Sequence, residues 1–278
     1  MNYLILSILL TVVLFLVFKE YAKRDINTHQ AITFNYLTAA LIAFFIGNVN
    51  SNVSNLVNAE WFHSTIALGV FFIVMFNIMA ITTQKLGISI SSMASKMSLI
   101  IPVIGAVIFQ NTSIGAYKVV GIMIAIIALY LTFKKNGLTT KPTLAIILFF
   151  GAGILDMWLD FIRNNYLSST FDFNFFIVTV FFTAFCVGLL KVIWDRKNIL
   201  RKNIVAGIVL GIPNYFSIYF VLLALENLGG IYVFPILNIG VVLLSAIISW
   251  LFYQEQMSKI NWMGIVLACL SIVIILWN

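Results

Sequence analysis

Two groups of charged side chains stand where a chain this apolar would be expected to have none. In "SSMASKMSL" (Ser91 to Leu99), Lys96 sits inside an apolar stretch that runs on to "IIP" at Pro102. Ser89 and Ser92 precede it at i−7 and i−4, so a helix carries all three as one polar stripe. An ammonium there can snorkel along its stem to a polar surface, or it can face a cavity and hold an anion: a substrate group or an aspartate. The second group is Asp156, Asp160 and Arg163, spaced i, i+4, i+7 and therefore on one helical face. Arg163 can pair with Asp160. That leaves Asp156 to join an ion cluster at the mouth of the helix, to meet Lys96, or to carry a coupling proton.

A softer set surrounds these charges. In "GIVLGIPNYFSIYFVLLALEN", Pro213 removes a backbone hydrogen bond and invites a kink, and Asn214, Tyr215 and Tyr219 follow it. With Tyr232, Trp158, Asn77 and Asn238 they can line a cavity whose rings stack on an apolar or aromatic solute. The plainer alternative is that proline is ordinary in membrane helices and tyrosine marks the interface. Hydrolytic and metal chemistry find less support. His29 and His63 fall in loops on opposite sides, and the sequence has no HExxH, no GxSxG and no phosphate-binding glycine loop. Asp156 and Asp160 share one helix, whereas intramembrane aspartyl chemistry needs two. No cofactor and no metal are expected.

The elements that hold these residues follow from composition. The chain is 62% hydrophobic and 9% charged, with a mean hydropathy of +1.09. Soluble domains carry about a quarter charged residues, so the natural solvent is lipid. Ten apolar segments qualify as spans: 2–18, 31–48, 62–84, 88–110, 117–133, 143–162, 174–193, 204–225, 229–252 and 260–277. "MNYLILSILLTVVLFLVF" has no basic start and no small-residue cleavage site, so it is expected to stay as the first span. Polar connections are short; the longest, 48–64, is expected to be an exposed loop. The net charge of +7 lies between spans and forms no basic stripe, which argues against nucleic acid. Of the 16 Lys and Arg, 13 fall in loops 1–2, 3–4, 5–6, 7–8 and 9–10, and only Lys118 and Arg163 on the other side. The positive-inside rule then puts those loops in the cytoplasm and both termini outside. Cys186 and Cys269 lie in apolar runs and are expected to pack as small thiols. Gly105, Gly121, Gly188, Gly207, Gly211 and Gly240 are expected to let helices approach closely.

The chain also resembles itself. "ITTQKLGISISS" (81–92) matches "LALENLGGIYVF" (223–234) at an offset of 142. "FQNTSIGAYKVVGI" (109–122) matches "FYQEQMSKINWMGI" (252–265) at 143. The unit is then five spans, and an odd number forces the second copy to enter the membrane from the opposite side. The expected fold is an all-α membrane protein of ten transmembrane helices in two inverted five-helix repeats, 1–136 and 137–278. At offset 142 the counterpart of Lys96 is Asn238, which would place two polar residues at symmetry-related points of a shared cavity.

The tail "LFYQEQMSKINWMGIVLACLSIVIIL" (251–276), with Glu255 followed by a polar turn, a helix and Gly264, resembles the EamA-type branch of the drug/metabolite transporter superfamily. The first half departs from the pattern, with Thr112 where a Glu is expected. The resemblance implies ten spans in two halves and a substrate cavity between them lined from both. Glu226 and Glu255 sit at span ends and are expected to be structural. The family is usually drawn with both termini in the cytoplasm, opposite to the charge count. The expectation is a secondary transporter, read as an exporter, working by alternating access on a small metabolite such as an amino acid or an amphipathic compound. Protons are the candidate coupling ion, and the protein is a monomer or homodimer in a bacterial inner membrane. The competing classes are a non-transporting membrane scaffold and an enzyme acting on lipid.

Overall fold

A computed structural model describes residues 1–46, 61–102, 104–105, 115–133, 143–166, 170–228 and 230–276. These form ten helices: α1 Asn2–Lys23, α2 Thr28–Ile46, α3 Phe62–Leu86, α4 Ile88–Met97, α5 Ala116–Phe133, α6 Thr143–Tyr166, α7 Thr170–Trp194, α8 Arg201–Leu228, α9 Gly230–Tyr253 and α10 Lys259–Leu276. Each falls on one expected segment, and all but α4 follow its length closely. Six helices contain stretches long and apolar enough to cross a bilayer: α1, α2, α3, α7, α8 and α9. The chain is a multi-pass integral membrane protein. Of the exposed loop expected over 48–64, residues 48–60 lie outside the described residues, whereas Trp61 is buried and Phe62 to Ser64 already belong to α3; Thr112 and the junction at 136/137 also lie outside the described residues.

One span differs from expectation. The continuous helix expected over 88–110 stops at Met97, turns at Ser98 and Leu99, and is helical again at 100–102. Pro102 supplies the reason. It has no N–H for the carbonyl of Ser98, which instead accepts from Ile101 N at 2.9 Å. Ser98 Oγ donates to Ser95 O at 2.5 Å and tightens the same corner.

The helices gather into two compact units, and each unit draws on both halves of the chain. The first holds 1–19, 78–154 and 216–278, the second 20–77 and 155–215. In the first unit α5 lies along α10, and α4 packs on α9. Met93 and Met97 of α4 share a core with Ala125 and Ala128 of α5, Val242 and Ala246 of α9 and Ile265 and Ile272 of α10. In the second unit α2 packs on α7, and the buried Tyr36 ring lies 5.5 Å from Phe76 and 5.8 Å from Phe181.

Glycines set the closest approaches, and they come in matched sets. In the first unit a Cβ on Gly121 of α5 would stand 2.6 Å from Ile275 Cγ1 and 2.9 Å from Ile275 N. On the opposite helix, a Cβ on Gly264 of α10 would meet Thr132 Oγ1 and stand 2.9 Å from Thr132 N. In the second unit a Cβ on Gly69 of α3 would lie 2.7 Å from Thr183 Cβ and 2.8 Å from Val180 O. One on Gly211 of α8 would lie 2.6 Å from Thr38 Cβ and 2.8 Å from Asn35 O. Gly188, Gly207 and Gly240 also sit in tight contacts, as expected, against Thr33, Ala31 and Ile8. In lipid, where chain association rests on packing, such backbone approaches hold helices together.

Gly121→Val and Gly264→Val are each expected to lower stability by about 1–3 kcal/mol, because backbone atoms cannot give way. Gly115→Val, with open space around its Cβ position, should leave the melting temperature of the detergent-purified protein unchanged.

Candidate functional site

The candidate site is built around the broken helix α4. It begins at Ile88, one residue after α3 ends, so the chain must reverse within Gly87. Gly87 adopts φ +105°, a conformation that L side chains rarely take. The new helix has exposed amide donors, and the carboxylate of Glu255 reaches over to satisfy one: Ile88 N donates to Glu255 Oε1 at 3.0 Å. Lys19 Nζ completes the contact 3.1 Å from the same oxygen, with both side chains largely covered. A Cβ on Gly87 would stand 2.5 Å from Glu255 Oε2, so glycine is required there both for its φ and for the space.

Glu255 is aimed by the exit turn of α9. Gln254 takes a left-handed φ of 49°, and Glu255 N returns to Ser249 O at 3.1 Å. The turn then starts α10 with a reciprocal cap: Asn261 N donates to Ser258 Oγ at 3.2 Å, and Ser258 N donates to Asn261 Oδ1 at 2.9 Å. Asn261 Nδ2 also donates to Thr132 O at 2.9 Å, closing the carboxyl end of α5. The stretch from Glu255 to Gly264 thus ties α4, α5, α9 and α10 together, in keeping with the structural role expected of Glu255. Leu86, Ser89, Thr132, Glu255 and Asn261 line a small cleft at this end. The side chain of Glu226 lies outside the described residues.

Lys96 stands in the last turn of α4. This corrects its placement in the middle of an unbroken span. The carboxyl end of a helix carries partial negative charge and free carbonyls, so the ammonium meets a favourable field there. Lys96 is half-buried, with Ser89 and Ser92 of the polar stripe buried behind it. Ser92 Oγ donates to Ser89 O at 3.0 Å, so that hydroxyl is turned back onto its own helix. Asn238 is buried on α9, the helix that packs on α4. Tyr219 of α8 also belongs to this unit, among the rings of Phe216 and Phe220. Tyr232 lies in α9, with its side chain outside the described residues.

The other candidates belong to the second unit. Asn214 is buried on α8, and its Nδ2 donates to Asn35 Oδ1 of α2 at 3.2 Å. Asn35 is fully buried, with no hydrogen-bond partner for its own Nδ2 among the described residues. It was not among the expected site residues, although a lone amide inside a span was a signal available in the sequence. Asn77 Nδ2 donates to Ile73 O at 2.8 Å, while its buried Oδ1 finds no hydrogen bond among the described residues. Tyr215 is buried beside Asn214, and Trp158 lies against Phe71 with ring centroids 6.4 Å apart. Asp156 is exposed on α6 rather than sunk in the core. The side chains of Asp160 and Arg163 lie outside the described residues. Lys96 and Asp156 therefore fall in different units.

Residues 143–277 match the profile of the EamA-like transporter family. Over 286 aligned residues the chain is 29% identical to an uncharacterized protein of Haemophilus influenzae, covering 98% of this chain and 96% of that one.

Gly87→Ala is expected to strain the backbone and crowd the carboxylate, at a cost of about 1–3 kcal/mol. Glu255→Gln keeps an acceptor for Ile88 N, so its melting temperature in detergent should fall less than that of Glu255→Ala.

Proposed function

From the match of residues 143–277 to the EamA-like transporter family, we propose that the chain is a secondary transporter that exports a small metabolite across the bacterial inner membrane. The observation that carries this reading is the early end of α4 at Met97, which places Lys96 in the last turn of a ten-residue helix. Interrupted helices of this kind are where transporters expose backbone groups and charges to a solute. Lys96 holds an anionic group of the solute, and Asn238 on the adjoining α9 offers it an amide. Tyr219 and Tyr232 belong to the same unit and are the aromatic candidates beside them, while Asn77, Trp158, Asn214 and Tyr215 are the solute-binding candidates of the second unit. Asp156, Asp160 and Arg163 form the charged group through which protons couple.

The motion is alternating access by two inverted repeats, 1–136 and 137–278. Support comes from the glycine contacts. Gly121 and Gly264 are 143 residues apart, and so are their partners Thr132 and Ile275. Gly69 and Gly211 are 142 apart, and their partners Thr38 and Thr183 are 145 apart. The packed helix pairs α2 with α7, α4 with α9 and α5 with α10 each join a helix to the one five places on.

A thermal-shift screen of the purified protein against amino acids and amphipathic metabolites is expected to find a solute that stabilises the wild type and not Lys96→Ala. In proteoliposomes Lys96→Ala should abolish flux of that solute, and Asp156→Asn should remove its dependence on a proton gradient. Full flux in Lys96→Ala would sink the assignment.

A further inference from the structure

Seven of the cations on the most basic side of the chain lie in one unit, at the ends of α1, α7 and α8, and the transport reading uses none of them. Two short turns carry Arg24, Arg196 and Lys197, and the helix ends flanking them carry the other four. Residues 24–27 join α1 to α2, and residues 195–200 join α7 to α8. A polar network locks these turns together. Asn27 N donates to Asn203 Oδ1 at 3.1 Å, Gln30 N donates to Asn27 Oδ1 at 3.2 Å, and Gln30 Nε2 donates to Asn198 O at 3.1 Å. Asn203 Nδ2 donates to Gln30 Oε1 at 2.5 Å, with Gln30 and Asn203 both buried. Asp25 and Arg196 each turn the chain with a left-handed φ of 50°.

The charges on this frame are not balanced. Glu20 pairs with Lys23 and Arg24, and Asp195 with Lys191. Arg196, Lys197, Arg201 and Lys202 are exposed and have no ion-pair partner among the described residues. Lys202 Nζ does reach Arg24 O at 3.4 Å, which brings the two turns into one surface. Large apolar side chains are interleaved with the cations: Trp194 is 84% exposed, with Ile199 and Leu200 exposed beside it. These residues close α7 and open α8, so they lie at the level where a bilayer passes from acyl chains to headgroups.

We propose that the paired turns 24–27 and 195–200 form a docking site for the phosphate headgroups of anionic phospholipids. Arg196, Lys197, Arg201 and Lys202 meet the phosphates, while Trp194, Ile199 and Leu200 sink into the acyl boundary beneath them. The alternation of cation and exposed apolar side chain favours a lipid over a soluble acidic partner, which would leave the apolar members in water. The asparagine network distinguishes the site from a loose basic fringe, because it holds both turns in one arrangement before lipid arrives.

The test is lipid retention by the full chain in nanodiscs of mixed phosphatidylcholine and phosphatidylglycerol, read by native mass spectrometry. The wild type is expected to retain phosphatidylglycerol in preference to phosphatidylcholine. Replacing Arg196, Lys197, Arg201 and Lys202 by Gln should cut that preference at least tenfold, since each cation near an anionic surface strengthens attachment about fivefold. Brominated phosphatidylglycerol should quench the wild type more strongly than Trp194→Phe, a readout independent of the quadruple variant. Equal retention of the two lipids by the wild type overturns the proposal, as does displacement of the preference by millimolar inorganic phosphate.

Discussion

The carboxylate of Glu255, resting on the first amide of α4, is the contact on which the first unit depends. A helix that starts inside or at the edge of a membrane cannot leave its amide donors to water, so something in the protein must accept from them. Glu255 does so from the far end of the chain, and Lys19 shares the same oxygen. Gly87 makes room, since any Cβ would run into the carboxylate. Three remote parts of the sequence therefore have to agree before α4 can begin where it does. The position of Lys96, nine residues along a rigid ten-residue helix, is set by that agreement.

The opposite end of α4 is set by an omission. Pro102 offers no N–H to Ser98, and the helix closes early through Ile101. A lysine that would be costly in an unbroken apolar span thereby gains a helix carboxyl end. Asn238 lies in α9, the helix that packs against α4, and α9 runs without interruption from Gly230 to Tyr253. The two helices thus differ: one ends just beyond its lysine, and the other is continuous around its amide.

Elsewhere, small residues do what apolar burial cannot. Lipid competes equally for apolar side chains, so association comes from backbones that approach closely and from amides that find each other. Gly121 with Gly264 supplies the first kind of contact, and Asn35 with Asn214 the second. Among the described residues, the buried donor on Asn35 and the acceptor on Asn77 are left without a hydrogen bond.

Much was legible in the sequence because it depends on the solvent. Apolar segments of about twenty residues must become helices in a bilayer, and nine of the ten helices follow the segments read from composition, with α4 ending short of its own. The glycines at 121, 188, 207, 211 and 240, and the structural character of Glu255, were readable for the same reason. The rest was decided by tertiary structure. The early end of α4 needed the carbonyl of Ser98 to be matched with Ile101, and Pro102 alone did not reveal where the helix would stop. The partner of Glu255 lies 167 residues away, and the amide that meets Asn214 lies 179 away. Hydropathy is a local property and foretells spans. The pairing of one donor with one acceptor depends on which helices become neighbours, and only the folded chain decides that.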